Sequence, residues 1–344
     1  MDNRLICGSV QLLMYAGEPV TTMNIERVVL SIPPSRDQVG DDAWMKNSYA
    51  VRCLNAADQI AVSPSDREDV ARLADYFLVD LPQLGDRLRG TVQTSVCATL
   101  DLFNGPVARR LLSAPTPNFW MEQLQEGKIL VVDMPVMSGG MLARAIQVTL
   151  KYVFQQAQNR RDVSANPRPV ALVCDESQTL IDLEHDAAFA CTARGTRTIC
   201  LYSTQSISNY LAQNAGPNSE ARVHALLGNL QCQVFHQSTD TKMVEYAQSL
   251  FGKCKLHLMQ GGTQQPGADW ASAALGFGPL GSTSSSFAEH LDHELQAEHF
   301  HVLAKGGPVN GWLSQAIVYQ GGKTFHGSGK SHLLVQLRQR PNAL

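Results

Sequence analysis

An uninterrupted apolar run that ends in two acidic residues is the feature that most limits what this chain can fold into. Residues 169–178 are Pro-Val-Ala-Leu-Val-Cys-Asp-Glu-Ser-Gln, without the alternation of a half-exposed strand. Such a run is typical of a strand buried on both faces, as in a parallel sheet covered by helices. Asp175 and Glu176 would follow the C-terminal end of that strand, where open α/β sheets bind ligands.

Asp followed by Glu at such a strand end is the Walker B pattern of nucleotide-hydrolysing ATPases. In that interpretation Asp175 holds Mg²⁺ through its hydration shell, and Glu176 polarises the attacking water. The alternative is a buried strand followed by two exposed acids without a chemical role. The stretch alone leaves both interpretations open.

The composition is that of a folded protein with one large or two medium domains. The chain has 344 residues, of which 44% are hydrophobic and 17% charged, so a sizeable core is available. A net charge of −3 argues against a surface coated for nucleic acid but allows a local basic channel. The eight cysteines contain no C-x-x-C pair, which favours reduced thiols. Because no apolar run approaches roughly 18–20 residues and no signal peptide is evident, we expect a cytoplasmic chain without a membrane span.

The spacing of apolar residues predicts two domains of different class. Residues 1–115 show helical spacing throughout, clearest over residues 44–60, and form a predicted all-α domain. After Pro115-Thr116-Pro117, residues 116–337 alternate between short apolar strands and amphipathic helices, which predicts an α/β domain with a largely parallel sheet. Residues 128–133 are its first predicted buried strand. Residues 261–286 are rich in Gly, Gln and Ser, so we expect a flexible loop there.

Four histidines near the C-terminus invite a metal interpretation that their spacing does not support. His290 and His293 are three residues apart on a predicted helix, whereas His299 and His301 alternate on a predicted strand. Neither pair matches a known ligand spacing, so no metal site is predicted among them.

A nucleotide-hydrolysing domain of this class also needs a phosphate loop. The pattern G-x-x-x-x-G-K-[ST] supplies backbone N–H groups and a lysine for the phosphates. A similar segment, residues 324–331, has Thr324 in place of the first glycine and follows the acidic strand instead of preceding it. We therefore predict a hairpin over residues 321–330 and no phosphate loop within these 344 residues.

Several further blocks follow one another in a fixed order along nearly the whole chain. They comprise residues 12–21, 89–92, 127–135, 170–178, 194–206, 229–252 and 305–337. In order and spacing these blocks resemble the C-terminal half of the type IV coupling proteins, the TraD/TraG class of conjugation ATPases. That class consists of RecA-like hexameric motors related to the FtsK and HerA DNA pumps.

The resemblance implies an α/β fold, an incomplete RecA-like P-loop NTPase domain preceded by an all-α domain. It implies that ATP and Mg²⁺ are the cofactors and that Asp175 and Glu176 are the magnesium-linked and water-activating acids. Gln205 would be the sensor of the γ-phosphate, and Arg194 the arginine finger that reaches a neighbour's nucleotide. Here Gly195 follows Arg194 directly, a departure from the family pattern. The alternatives are that Gln205 caps the helix starting near Ser206 and that Arg194 is a solvated surface residue.

The resemblance also implies a role in conjugative DNA transfer or type IV secretion. Expected partners are other motor subunits, DNA, relaxosome proteins and the secretion channel, with a cytoplasmic location at the inner membrane through those partners. Because the family's anchor and phosphate loop precede its all-α domain, we expect this chain to be inactive alone or one part of a split motor. The alternatives are a non-catalytic interaction module and an FtsK/HerA-type pump outside conjugation.

Overall fold

The chain forms two compact units, Met1–Thr149 and Leu150–Leu344. The computed structural model describes residues 2–114, 117–263 and 283–339. The domain division predicted at residues 115 and 116 falls outside the described residues and remains a prediction. None of the described helices combines the length and the apolar composition needed to cross a membrane.

Helices account for the regular structure of the first unit, and no strand occurs among its described residues. Their apolar stripes meet in one core that includes Leu12, Val28 and Phe77, all fully buried. Local signals set the helix starts: the Thr21 hydroxyl accepts from the Asn24 N–H at 3.1 Å, which caps the second helix. The helices are α1 (Asp2–Tyr15), α2 (Thr22–Leu30), α3 (Asp42–Asn47), α4 (Tyr49–Ile60), α5 (Pro64–Asp75), α6 (Leu81–Gln83), α7 (Asp86–Asn104), α8 (Pro106–Leu112) and α9 (Val136–Arg160), the last crossing the limit between the units.

The helix predicted over residues 44–60 is two helices. Ser48 has extended backbone dihedrals, and its hydroxyl accepts from the Val51 N–H at 3.3 Å, so it ends α3 and caps α4. Within this stretch only α4 buries a face: Tyr49, Val51 and Leu54 are buried, whereas α3 has no buried residue. Periodicity therefore predicted the buried face of α4 but neither the interruption nor the exposure of α3.

The strand predicted over residues 128–133 is wrong for the described structure. The segment has no regular secondary structure and pairs with no described strand, and Ile129 and Val131 are 87% and 79% exposed. An apolar run becomes a buried strand only where other strands and a helical layer surround it. No described residue forms a backbone hydrogen bond with residues 129–133, so the local pattern lacks the neighbours it requires.

The second unit contains one parallel strand pair and two antiparallel sheets, so the predicted largely parallel sheet is wrong for the described strands. β1 (Val170–Cys174) pairs in parallel with β2 (Thr198–Tyr202). The antiparallel sheets are β3 (Cys232–Phe235) with β6 (Leu313–Gln320) and β7 (His332–Arg338), and β4 (Lys253–Thr263) with β5 (Thr283–His293). The helices of this unit are α10 (Leu183–Thr192), α11 (Ile207–Gln213), α12 (Ser219–Asn229), α13 (Thr241–Phe251) and α14 (Ala297–His301).

Only one face of the β1–β2 pair is covered, which corrects the prediction of a strand buried on both faces. Val170, Cys174 and Thr198 are buried on one side, whereas Val173 and Leu201 are 65% and 52% exposed. The covered face lies over charged and polar side chains of α9 and α10, including the fully buried Asp186.

The predicted loop over residues 261–286 is partly strand. Residues 261–263 end β4 and residues 283–286 begin β5, and these two stretches pair with each other. The residues between them lie outside the described ones. The pairing partner was not evident from a Gly- and Ser-rich sequence, because such residues carry little strand preference.

The local structure predicted around the histidines is reversed. His290 and His293 lie on β5, and His299 and His301 lie on α14. Segments this short are ambiguous between helix and strand until a pairing partner fixes one of them. In the part of the chain that the structure describes, no three His, Cys, Asp or Glu residues are arranged to bind a metal.

Burial of the His332 imidazole predicts that the chain loses stability in mild acid. The ring packs against Phe251 at a centroid distance of 5.0 Å, and its Nδ1 has no partner among the described residues. Burial lowers the pKa of His332 below 6.5; nearby Lys330 also lowers this pKa and Glu294 raises it. The unfolded chain therefore binds this proton more tightly. The stabilising contribution is present above pH 6.5 and is lost as pH falls below it.

Urea unfolding at about pH 8 and about pH 5 measures this dependence. His332→Phe keeps the aromatic contact and is expected to reduce the loss of unfolding free energy at the lower pH. His326→Phe changes an exposed histidine of the same β6–β7 connection and serves as the matched control. Equal pH dependence in the wild type and His332→Phe would show that His332 does not carry the effect.

Candidate functional site

The C-terminal ends of β1 and β2 lie side by side and hold the residues after them together. The parallel register sets Cys174 opposite Tyr202. Beyond this pair, the Ser203 N–H donates to the Cys174 carbonyl at 2.9 Å, and the Ser177 N–H donates to the Ser203 carbonyl at 2.8 Å. Residues 175–177 and 203–205 therefore meet at the carboxyl edge of the pair, the edge at which α/β sheets bind ligands.

The carboxylate of Asp175 is fixed through one of its two oxygens. Oδ1 accepts from the Ser203 hydroxyl at 2.5 Å and from the Glu176 N–H at 3.0 Å. Oδ2 accepts no hydrogen bond from the residues that the structure describes. Asp175 is exposed, so one oriented carboxylate oxygen faces solvent at this edge.

Glu176 has left-handed backbone dihedrals, with φ at 46° and ψ at 44°. This region costs a residue other than glycine about 1–2 kcal/mol. The turn after it supports the conformation, since the Glu176 carbonyl accepts from the Thr179 N–H at 3.0 Å and from the Thr179 hydroxyl at 2.9 Å. The Glu176 side chain is exposed. Backbone strain held in this way is characteristic of functional sites.

A buried hydroxyl pair ties this edge to α11. The Ser177 hydroxyl donates to the Ser203 carbonyl at 2.7 Å and accepts from the Tyr210 hydroxyl at 2.5 Å. Burial raises the pKa of Tyr210, so its hydroxyl stays protonated and continues to donate. Gln178 is also buried, and its Oε1 has no partner among the described residues.

Gln205 lies at the same edge, two residues after Ser203, with an exposed side chain that forms no hydrogen bond to described residues. The alternative that Gln205 caps α11 is wrong. Ser206 is the cap, because its hydroxyl accepts from the Asn209 N–H at 3.1 Å. The Gln205 amide therefore remains available to a ligand bound near Asp175.

Arg194 is exposed and lies at the other end of the strand pair. It falls in the turn between α10 and β2, before the first strand residue, Thr198. The four steps of about 3.3 Å along β2, from Thr198 to Tyr202, separate that end from the carboxyl edge by roughly 13 Å. The structure therefore brings Asp175, Glu176 and Gln205 to one edge but not Arg194.

A charged network below the strand pair was not predicted from the sequence. Asp186 is fully buried and accepts from the Lys151 ammonium, from Gln155 Nε2 at 2.6 Å, from the Asp182 N–H at 2.8 Å and from the Tyr202 hydroxyl at 3.2 Å. Burial raises the pKa of Tyr202, and the nearby Asp186 charge raises it further. The one available signal was Lys151, which lies at an apolar position of the α9 pattern.

The residues at the carboxyl edge fit part of a magnesium–nucleotide site. Mg²⁺ prefers oxygen ligands and binds through one or two carboxylates together with substrate phosphates. Asp175 and Glu176 offer exposed carboxylates for that purpose. Residues 174–178 and 203–206 include neither a basic side chain nor a glycine. The edge thus suits the metal-linked half of such a site and supplies no cradle for phosphates.

The predicted hairpin near the C-terminus is confirmed. β6 and β7 pair antiparallel, and within their connection the Phe325 N–H donates to the Lys330 carbonyl at 2.8 Å. The ammonium of Lys330 forms an ion pair with Glu294. The sequence G-S-G-K-S therefore belongs to a turn between strands, and its lysine already has a carboxylate partner.

In open α/β sheets ligands bind at the carboxyl ends of the strands, and the acidic residues Asp175 and Glu176 lie at that edge here. No protein-family model and no curated protein matches the sequence. Among solved structures, the fold is similar to the bacterial conjugative coupling protein TrwBΔN70 in its unbound monoclinic form. The TM-score is 0.52 at 13% identity, over 100% of this chain and 70% of that chain. At this identity the similarity establishes the fold alone.

Proposed function

We propose that this chain is part of a coupling-protein-type ATPase that moves DNA or DNA–protein substrates in conjugative transfer or type IV secretion. One observation carries the proposal: the fold is similar along the whole chain to a conjugative coupling protein. The exposed acids at the carboxyl edge, Asp175 and Glu176, support the ATPase part of the proposal.

In this proposal the two acids at the carboxyl edge have different roles. Asp175 would hold hydrated Mg²⁺ with Oδ2, while its Oδ1 stays fixed by Ser203 and the backbone. Glu176 accepts hydrogen bonds from the attacking water and polarises it. When bound, Mg²⁺ neutralises charge on the phosphates of ATP. Gln205 donates its amide to the γ-phosphate from the neighbouring strand end.

Arg194 acts on the nucleotide of a neighbouring subunit. Its separation from Asp175 by roughly the length of β2 supports a role between subunits, because it is too far from the acids of its own chain. A guanidinium suits the charge that develops on a transferred phosphoryl group. The proposed active form is therefore an oligomer, a hexamer by resemblance, located in the cytoplasm at the inner membrane with DNA, relaxosome proteins and the secretion channel as partners.

The phosphate-binding half of the site comes from another chain segment. The 344 residues contain no G-x-x-x-x-G-K-[ST] loop. Without backbone N–H groups and a lysine for the phosphates, the acids alone bind nucleotide weakly. We propose that residues 1–344 are inactive by themselves and become competent when such a loop is added.

A non-catalytic interaction module is the second candidate function. It is favoured by the ion pair of Lys330 with Glu294, which leaves the lysine of the G-S-G-K-S sequence engaged elsewhere. Such a module binds a complete motor or a relaxosome component through the same fold and needs no ATP.

Calorimetry and phosphate release distinguish the two functions. ATP–Mg²⁺ is titrated into the chain alone, and then into its mixture with the polypeptide encoded directly upstream. The split motor predicts no measurable binding alone, with binding and hydrolysis on mixing. Absence of hydrolysis under both conditions would leave the interaction module.

Lys330→Ala is expected to change the affinity for ATP by less than about two-fold in the mixture. The reason is that the Lys330 ammonium pairs with Glu294 in a turn outside the carboxyl edge. Lys305→Ala, an exposed lysine outside every G-K-[ST] sequence of this chain, is the matched control. A loss of about ten-fold or more, specific to Lys330→Ala, would make this turn a phosphate site after all.

A further inference from the structure

An uncovered apolar face on the β1–β2 pair is the strongest unassigned feature of the second unit. Val173 is 65% exposed, Ile199 58% and Leu201 52%. The register sets Val173 beside Leu201 and Ala171 beside Ile199, so these side chains form one continuous patch. The opposite face of the same strands is buried, which means that a layer covers one side of the pair only.

The outer edges of this strand pair also carry backbone groups without a strand partner. In the described part of the chain β1 and β2 pair with each other and with no other strand. Each outer edge therefore presents a row of backbone N–H and C=O groups able to pair with a further strand. Parallel strands occur almost only in sheets of several strands with both faces covered by helices. A two-stranded parallel pair with one bare face is an incomplete version of that arrangement.

A separate stretch in the first unit is likewise apolar, exposed and without a strand partner. Residues 129–132 are apolar, exposed and without regular secondary structure, and the backbone of residues 129–133 forms no hydrogen bond with other described residues. Apolar side chains alone could be covered by a lipid or a small ligand. Unpaired backbone groups along a strand edge, such as those of β1 and β2, can instead pair with another strand. The occupant that suits both stretches is thus a polypeptide that adds strands.

We infer that the bare face and free edge of β1–β2 are a docking surface for an α/β chain segment. A strand of that segment pairs with the free edge, and an apolar helix of it lies on Val173, Ile199 and Leu201. The chain matches 70% of the length of the coupling protein to which its fold is similar, so the rest of that protein has no counterpart in these residues. That unmatched length is available for a strand and a helix. This inference rests on the proposed function, because the probe used to test it is the polypeptide that the split motor requires.

The test uses the full chain and, as the probe, the polypeptide encoded directly upstream, mixed without nucleotide. The dissociation constant is measured by calorimetry for the wild type and for Val173→Lys and Leu201→Lys. We expect each variant to weaken binding by about ten-fold or more, because a lysine cannot be covered by an apolar helix. Val309→Lys is the matched control, since Val309 is 96% exposed and lies on a turn of the same unit.

Two further measurements decide between a docking effect and a folding defect. Circular dichroism and the thermal midpoint are expected to be unchanged in the lysine variants, because both native side chains are more than half exposed. Hydrogen exchange of the wild type is expected to slow in β1, β2 and residues 129–133 on mixing. Unchanged exchange in all three stretches would overturn the inference even if a variant failed to fold.

The remaining outcomes also overturn the inference or support it. No binding of the upstream polypeptide, or equal binding by Val173→Lys and the wild type, overturns it. Light scattering could show that the chain alone is a dimer and that Val173→Lys dissociates it. That result would assign the surface to a second copy and would overturn the inference that an α/β segment occupies it. Binding through this face without ATP hydrolysis supports the docking surface while the proposed ATPase fails.

Discussion

Replacing Asp186 with alanine is expected to lower the free energy of unfolding by about 3–5 kcal/mol, the cost of removing one partner from a buried ion pair. The Lys151 ammonium, with a side chain only 5% exposed, then loses its counter-ion, and Gln155 and Tyr202 lose their acceptor. Native proteins are stable by about 5–15 kcal/mol, so the change removes a large part of the total. Urea unfolding followed by circular dichroism measures it.

The pair of Lys242 with Glu220 provides the matched control. Its atoms are 3.7 Å apart and its side chains are 52% and 63% exposed, so Lys242→Ala is expected to cost less than about 1 kcal/mol. The double variant Lys151→Met with Asp186→Leu is expected to be more stable than Asp186→Ala, because it leaves no uncompensated charge. A cost below about 1 kcal/mol for Asp186→Ala would contradict the buried network.

Glu176→Gln is expected to slow ATP hydrolysis by about 10²–10⁴-fold in the reconstituted motor, the range for loss of a general base. The amide keeps the shape of the carboxylate but accepts no proton, so ATP affinity is expected to stay within about two-fold. Single-turnover phosphate release, together with calorimetry, separates the chemical step from binding.

Asp175→Asn is expected to change the Mg²⁺ requirement of hydrolysis, whereas Glu176→Gln is expected to slow the chemical step. Asp175→Asn weakens the one oriented carboxylate oxygen at the edge, so the concentration of Mg²⁺ that gives half-maximal hydrolysis is expected to rise. Glu184→Gln, an exposed acid on α10, is the control and is expected to leave both quantities unchanged. Hydrolysis by Glu176→Gln at the wild-type rate would remove Glu176 from the chemistry.

Local signals account for the start of some helices. Ser63 and Asp66 form the capping box that begins α5, and the two residues are only three positions apart in the chain. The acids after β1 were also found from sequence, because an apolar run that ends in Asp and Glu has a distinct pattern. In both cases the sequence signal lies within a few positions of the chain.

Features that depend on distant residues were not predictable in the same way. Ser203 and Tyr210 join Asp175 and Ser177 only through the parallel register of two strands and the position of α11. Asp186 resembles any surface acid in sequence, since its burial depends on Lys151 one helix earlier. For residues 128–133, composition favoured burial, but the segment is exposed because burial requires neighbours that the described residues do not supply.

The left-handed backbone of Glu176 restricts which side chains can replace it. Glycine relieves the strain but removes the acid, and β-branched residues fit this region worst. Asparagine and aspartate tolerate it best among residues with a side chain, and aspartate keeps the charge one methylene closer to the backbone. Glutamine bears the same backbone cost as glutamate. A difference between Glu176 and its glutamine variant therefore reports on the carboxylate alone, with conformational strain held constant.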